Sequence, residues 1–441
     1  MSALPDIPSI IIKKFLIDNL LGDLRVQIEQ IEHQRHHNAQ LSLADVLMSA
    51  FAIFQLKLPS LLQFDQLFRF REPNMKAIFQ ITQCPSDTAM RHILDDLPTE
   101  KLHDLYKYFV TSLMNSTLLD DYKFYNNKYL VAIDGVEYFE SKKVSCPCCL
   151  TRQLKNGTTD YHHNLLATVI IHPSHREVFP MLNEPISNAD GDTKNDCELN
   201  AVKRLLVNIK KNYQDTKFIY VADTLYSCGT VISPILAEGN SYILGICDSH
   251  NGILFIQFER LKSEKKIQQF EVIQDGKKHL FSYANDLFLN GTHSHISVNM
   301  LYYEEIDLKT GKKQVFSWVT DIPLSTFTVF KVMQGGRARW KIENETFNTL
   351  KNQGYEFEHN YGHGQKNLCN NLAMIMLLAF LIDQIITKFD INYQKALLVC
   401  KNKRVLFERI RSIFDLVLCT SMKQVYQIVS KIIKLTIEIS P

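Results

Sequence analysis

The chain has 441 residues, of which 46% are hydrophobic and 22% charged, enough for two or three domains around a sizeable core of ordinary globular composition. Its formal net charge of +2 excludes nucleic-acid binding driven by bulk charge, so any DNA surface must come from local clustering of basic residues. Residues 8–17, PSIIIKKFLI, are broken by Lys13 and Lys14 and lack the end of a signal peptide. The longest apolar run, Leu372 to Ile382, has 11 residues, too short for a bilayer, and reads as a buried core helix. Ten cysteines without framework spacing point to a reducing cytosol, so the expected location is cytoplasmic, with no membrane partner.

Residues 10–125 read as helical. Apolar positions recur every three or four residues in ADVLMSAFAIFQL (44–56) and KLHDLYKYFVTSLM (101–114). Between them, Pro85-Ser86 marks a helix start with Ser86 as N-cap, and the helix would present Asp87, Thr88 and Arg91. With the preceding MKAIFQIT (75–82) it makes a helix-turn-helix that could set Arg91 on DNA; an ordinary helical pair fits the same pattern.

From about residue 126 the pattern turns to strands: YLVAID (129–134), NLLATVIIHP (164–173) and REVFPMLNEPI (176–186). A helix, DCELNAVKRLLVNIKKNY (196–213), and the strand FIYVAD (218–223) follow, an order that suits an antiparallel meander joined to parallel βα units. Residues 240–325 read as a strand-rich block: SYILGIC, GILFIQF, QQFEVI, HLFSY, HISVNMLYY and KQVFSWVTDI, separated by turns at Asp275-Gly276, Asn290-Gly291 and Thr310-Gly311. The chain becomes helical again after 333, and RARWKIENETFNTLK (337–351) reads as a helix start carrying Glu343 among Arg337, Arg339, Lys341 and Lys351.

Asp134 and Asp223 each end an apolar strand, and with Glu343 they make a carboxylate set of the kind that holds two Mg²⁺ roughly 3.5–4 Å apart for phosphodiester cleavage. Asp134 would bridge both ions, Asp223 would hold one and Glu343 the other, with Mn²⁺ as the alternative metal. Each acid has a plainer reading as a turn, cap or solvated residue. Glu137 is a local rival to Asp134. Glu345 rivals Glu343 but would point about 200° away on an ideal helix. Arg337, Arg339 and Lys341 would contact DNA phosphates, whereas the plain alternative is a solvated face with Arg339 and Glu343 as an i,i+4 pair. Cys146 and Cys149 have zinc-ligand C-x-x-C spacing, with His163 as a further ligand and Cys197 as a candidate to complete a structural zinc site; reduced, unligated thiols are the alternative.

The stretches FREPNMKAIFQITQCPSDTAMRHILDDL, VAIDGVEYF, TKNDCELNAVKRLL, FIYVADTLYS and RWKIENETFNTLKNQGY followed by GHG, spread over about 65–385, resemble the DDE transposases of bacterial insertion sequences. The resemblance implies an α/β protein with an RNase H-like catalytic core. It also implies metal-dependent cleavage at transposon ends, strand transfer into target DNA, and a homodimer holding two double-stranded ends. The expected domains are a helical end-binding region (1–125), the first part of the core (126–239), a β-rich insertion (240–325), the completion of the core with the glutamate helix (326–390) and a helical C-terminal region (391–441). Some members carry a Tyr, Arg, Glu, Lys signature around the glutamate. Here Arg339 and Glu343 keep its spacing, whereas Gly336 stands at the Tyr position and Leu350 at the Lys position, with Lys351 one step on as the alternative phosphate contact. An inactive DNA-binding relative and a nuclease without strand transfer are the alternative functions.

Overall fold

The structure, a computed structural model, describes residues 9–32, 41–188 and 196–433; Thr193 to Asn195, which belong to one of the resembling stretches, lie outside these. Among the described residues, α-helices come first: α1 (Ser9–Lys14), α2 (Ile17–Glu29), α3 (Leu43–Gln55), α4 (Leu61–Phe79), α5 (Asp87–Asp96) and α6 (His103–Asn115). Hydroxyl caps start three of them: Ser42, Ser60 and Ser86 accept from the N–H groups of Asp45, Gln63 and Ala89, which fits the expected cap at Ser86.

The strands that follow are β1 (Lys123–Tyr125), β2 (Lys128–Ser141), β3 (Leu150–Gln153), β4 (Thr159–Ile171) and β5 (Phe179–Ile186). Then come α7 (Glu198–Asn212), β6 (Phe218–Ala222), α8 (Gly229–Ala237), β7 (Ser241–Gly245) and α9 (Asp248–Ser263). The strand-rich block continues with β8 (Gln268–Gln274), β9 (Lys277–Phe288), β10 (Ser297–Asp307) and β11 (Lys313–Thr320). Last are α10 (Val329–Ala338), a π-helical turn (Ile342–Phe347), α11 (Asn348–Asn352), α12 (Leu368–Phe389), α13 (Ile391–Cys400), α14 (Lys403–Leu416) and α15 (Met422–Val429).

All the strands join one mixed sheet in the order β3-β4-β2-β6-β7-β11-β10-β9-β8, with β5 on β4 and β1 on β2. β2 is antiparallel to β4 and parallel to β6, which is parallel to β7. Leu130 to Ile133 and Phe218 to Ala222 are buried throughout, the continuous apolar pattern of strands covered on both faces. The strand-rich block extends this sheet, because β11 pairs antiparallel with β7.

Two local expectations change. GILFIQF, read as a strand, lies in α9: Leu254 and Phe258, four residues apart, are buried while Ile253 and Ile256 are exposed, and so short an apolar run leaves strand and helix indistinguishable by periodicity. The glutamate helix also begins earlier than residue 337, with α10 starting at Val329.

The N- and C-terminal helices pack together. Asn74 on α4 donates to the carbonyls of Phe414 and Val417 and accepts from the Cys419 N–H, and the Ile17 N–H donates to Asp390. α12, the one described helix long and apolar enough to cross a membrane, has 89% of that stretch buried inside the fold, packed against α3, α5 and β5.

Candidate functional site

Register brings the two aspartates together. β2 and β6 run parallel with Ala132 opposite Val221, so two residues on, Asp134, midway along β2, stands level with Asp223, just past the carboxyl end of β6. Asp223 caps the short turn that follows, its Oδ1 accepting from the Leu225 N–H at 2.9 Å, so it fills the cap role of its plain reading. Glu343 arrives from the π-helical turn, an irregularity frequent at functional sites. Arg339 joins it to the strand acids: Nη1 lies 3.1 Å from Asp134 Oδ2 and 2.7 Å from Glu343 Oε1. The i,i+4 pair is therefore present, but it reaches across to the sheet.

A fourth acid, overlooked in the sequence, completes this surface. Glu198 sits in the first turn of α7, where an acidic residue is ordinarily explained by the helix dipole, which is why no local signal singled it out. Its Oε2 accepts from the Tyr226 hydroxyl at 2.7 Å, and a β-carbon added at Gly135 would lie 2.3 Å from its Oε1. Burial raises the Asp134 carboxyl to about 7, against the lowering effect of Arg339 and with help from Glu343, Asp223 and Glu198. Gly135→Ala is therefore expected to displace the Glu198 carboxylate and to cost about 1 kcal/mol, the loss also expected of Tyr226→Phe. Unfolding of the double variant should show one loss; fully additive losses would break the link between the three residues.

The rival acids face elsewhere. Glu345 pairs with Arg176 at 3.3 Å, and Glu137 has Arg152 at 3.4 Å. The residues at the Tyr and Lys positions of the Tyr, Arg, Glu, Lys signature are also fixed by packing. A β-carbon at Gly336 would lie 2.4 Å from Trp318 Nε1, so the helix approaches β11 too closely for a tyrosine there, and Leu350 is fully buried.

The other predicted basic contacts have partners within the chain. Arg337 pairs with Glu305 and lies over the Phe316 ring, and the Lys341 ammonium donates to the His175 carbonyl at 2.7 Å. Lys351 pairs with Glu358 at 2.6 Å and Arg91 with Asp87 at 2.6 Å. Arg91 also lies against Gly362, and α5 is tied to the same loop by Asp95, which accepts from the N–H groups of Gln365, Lys366, Asn367 and Leu368. Burial opposes the charge on Asp95, but those four donors hold its carboxyl below the ordinary range. Of the five basic residues, Arg339 is the one at the carboxylates.

A second cluster lies farther along β2 and β4. Cys146, Cys149, His163 and His363 bring four ligand atoms within 4.8 Å of one another. Among the described residues the carboxylates form no comparably close set, and the Arg339 guanidinium stands between Asp134 and Glu343. Cys197, the expected candidate for the remaining ligand, is exposed at the start of α7 and outside the cluster; His363, from the GHG stretch, takes that place. No protein-family model and no curated protein matches this chain.

Proposed function

We propose that the chain is a DDE transposase that cuts DNA at the ends of an insertion sequence and joins them to target DNA. The observation that carries this reading is the alignment of Asp134 and Asp223 on adjacent parallel strands, with Glu343 brought to Asp134 by Arg339. An RNase H-like core is supported by the β5-β4-β2 meander passing into parallel β6 and β7, and by the strands β8 to β11 standing between the second aspartate and the glutamate.

The donor set suits a hard divalent cation. Asp134, Asp223 and Glu343 offer only carboxylate oxygens, and the negative charge crowded around Asp134 is what such a cation relieves. These three residues would hold two Mg²⁺, or Mn²⁺ in its place, which when bound supply charge neutralisation on the phosphate and an activated nucleophile. Asp134 must lose its proton to serve, and Arg339 keeps the Asp134 and Glu343 carboxylates turned toward one another until it is displaced toward DNA. Lys341 and Arg337 flank this position and would exchange their internal partners for phosphate oxygens. Water would attack the end phosphodiester first, and the freed 3′-hydroxyl would then attack target DNA. The partners are double-stranded ends and target DNA, held by a homodimer in the cytoplasm.

Incubation with Mg²⁺ and a duplex carrying the inverted repeats that flank the reading frame is expected to give cut ends and joined products. Cutting without joining would identify a nuclease, and binding without cutting an inactive relative. No binding and no cutting would overturn the reading.

A further inference from the structure

We propose that Cys146, Cys149, His163 and His363 form a closed structural zinc site that fastens the loop after the glutamate segment to the strand pair carrying Asp134. The separations of the four ligand atoms are close to those of a tetrahedral zinc site. Tetrahedral zinc, with Zn–S about 2.3 Å and Zn–N about 2.0–2.1 Å, requires S···S edges of about 3.8 Å and S···N edges of about 3.6 Å. The Cys146 and Cys149 sulfurs are 3.6 Å apart; His163 Nε2 lies 3.4 Å from each, and His363 Nε2 lies 3.5 Å from Cys149 Sγ. Direct packing of two thiols and two imidazoles has no need to bring four lone pairs to one point.

The surroundings fit a structural rather than a catalytic metal. Cys149, His163 and His363 are all buried, so the site is closed to substrate. The Cys146–Cys149 turn is closed by the Cys149 N–H donating to the Cys146 carbonyl, and the Cys146 N–H points at Cys149 Sγ from 3.4 Å, a contact that stabilises a thiolate. Phe139 packs against the His363 ring with centroids 4.4 Å apart. Both imidazoles turn Nε2 to the sulfurs, while their buried Nδ1 atoms have no hydrogen-bond partner among the described residues. A disulfide is a poorer account, because the sulfur separation of 3.6 Å far exceeds a bond of about 2.05 Å and leaves the two histidines unexplained.

The three ligating segments explain what the metal would do. Cys146 and Cys149 lie on the loop between β2 and β3, His163 lies on β4 opposite Phe139 of β2, and His363 lies between α11 and α12. A zinc bound there crosslinks segments remote in the chain, and its binding energy adds to that of folding. The cluster shares no residue with the carboxylate site, and zinc binding there does not depend on the transposase reading.

Elemental analysis of the untagged full chain, purified under reducing conditions, is the test. About one zinc per chain is expected, and cobalt exchanged into the protein should give the visible spectrum of a tetrahedral thiolate site. Cys149→Ser and His363→Asn should each lower zinc content at least about tenfold, whereas Cys197→Ser should retain it. Should the ligand variants fail to fold, stepwise modification of the wild-type thiols by a mercurial, with released zinc read by a chromogenic chelator, gives the same answer. Protein purified without zinc that also takes up no tetrahedral cobalt would overturn the proposal, as would full zinc retention in His363→Asn or its loss in Cys197→Ser.

Discussion

Asp134→Asn should abolish strand cleavage, by on the order of 10²–10³-fold or more, while leaving the metal-free chain folded and somewhat more stable at pH 8. The two effects have one cause. The side chain is 17% exposed and shares its surroundings with Glu343, Asp223 and Glu198, so burial and like charge push the carboxyl from an ordinary 3.8 to about 7. An acid whose folded-state value is raised holds its proton more tightly when folded. Its contribution is therefore fully present below about 4, is lost as pH rises toward about 7, and is absent above that. Asparagine removes the buried charge responsible, with an expected gain on the order of 1–2 kcal/mol at pH 8 in the presence of a chelator, shrinking toward pH 5. Cleavage rates and thermal unfolding measured across this range check both halves. Retained cleavage would remove Asp134 from the chemistry, and a loss of stability at pH 8 would show that its charge serves the fold instead. Asp223→Ala and Glu343→Ala should lose cleavage to a similar extent.

The second large effect lies away from the carboxylates. Asp383→Ala should cost about 3–5 kcal/mol, because it strands a buried ammonium. Lys57 Nζ lies 2.6 Å from Asp383 Oδ2 and 2.7 Å from the Phe54 carbonyl, Gln55 donates to Asp383 Oδ1 at 2.8 Å, and the Tyr355 hydroxyl donates to Oδ2. The ammonium also sits over the rings of Tyr355 and Phe407. Burial lowers Lys57 to about 8, and the neighbouring Asp383 opposes that fall. The pair joins the end of α3 to the middle of α12, so its loss loosens the contact between the N-terminal helices and the rest. A Lys57→Met/Asp383→Leu double variant should recover most of the loss, since neither charge is then left alone. Denaturant unfolding of the two singles and the double measures the coupling, and a cost below about 1 kcal/mol for Asp383→Ala would show that the pair is solvated or replaceable.

What could be read from the chain was what local patterning encodes. Asp134 and Asp223 stood out because each ends an uninterrupted apolar run, although β2 continues past Asp134 to Ser141, and Ser86 because a cap is a property of a few neighbouring residues. Cys146 and Cys149 were legible for the same reason: their spacing lies within one turn. His363 was not assigned with them, because it lies 214 residues from Cys149 and is brought there by a loop that Asp95 holds from α5. Glu198 was hidden by the ordinary meaning of an acid in a first helical turn. The basic residues around Glu343 were visible as a cluster, but their partners Glu305, Glu358 and the His175 carbonyl are set by tertiary packing that no spacing rule contains.

The antiparallel seam between β7 and β11 has a practical consequence for engineering. Because the strand-rich segment continues the hydrogen-bond ladder, it cannot be excised as a module on a tether. A shortened chain lacking β8 to β11 would bare the flank of Ser241–Gly245, whose Ser241 to Leu244 are buried in the full chain, and offer unsatisfied amides to any neighbouring molecule. Miniaturised versions are therefore expected to self-associate unless a substitute strand is grafted onto that border.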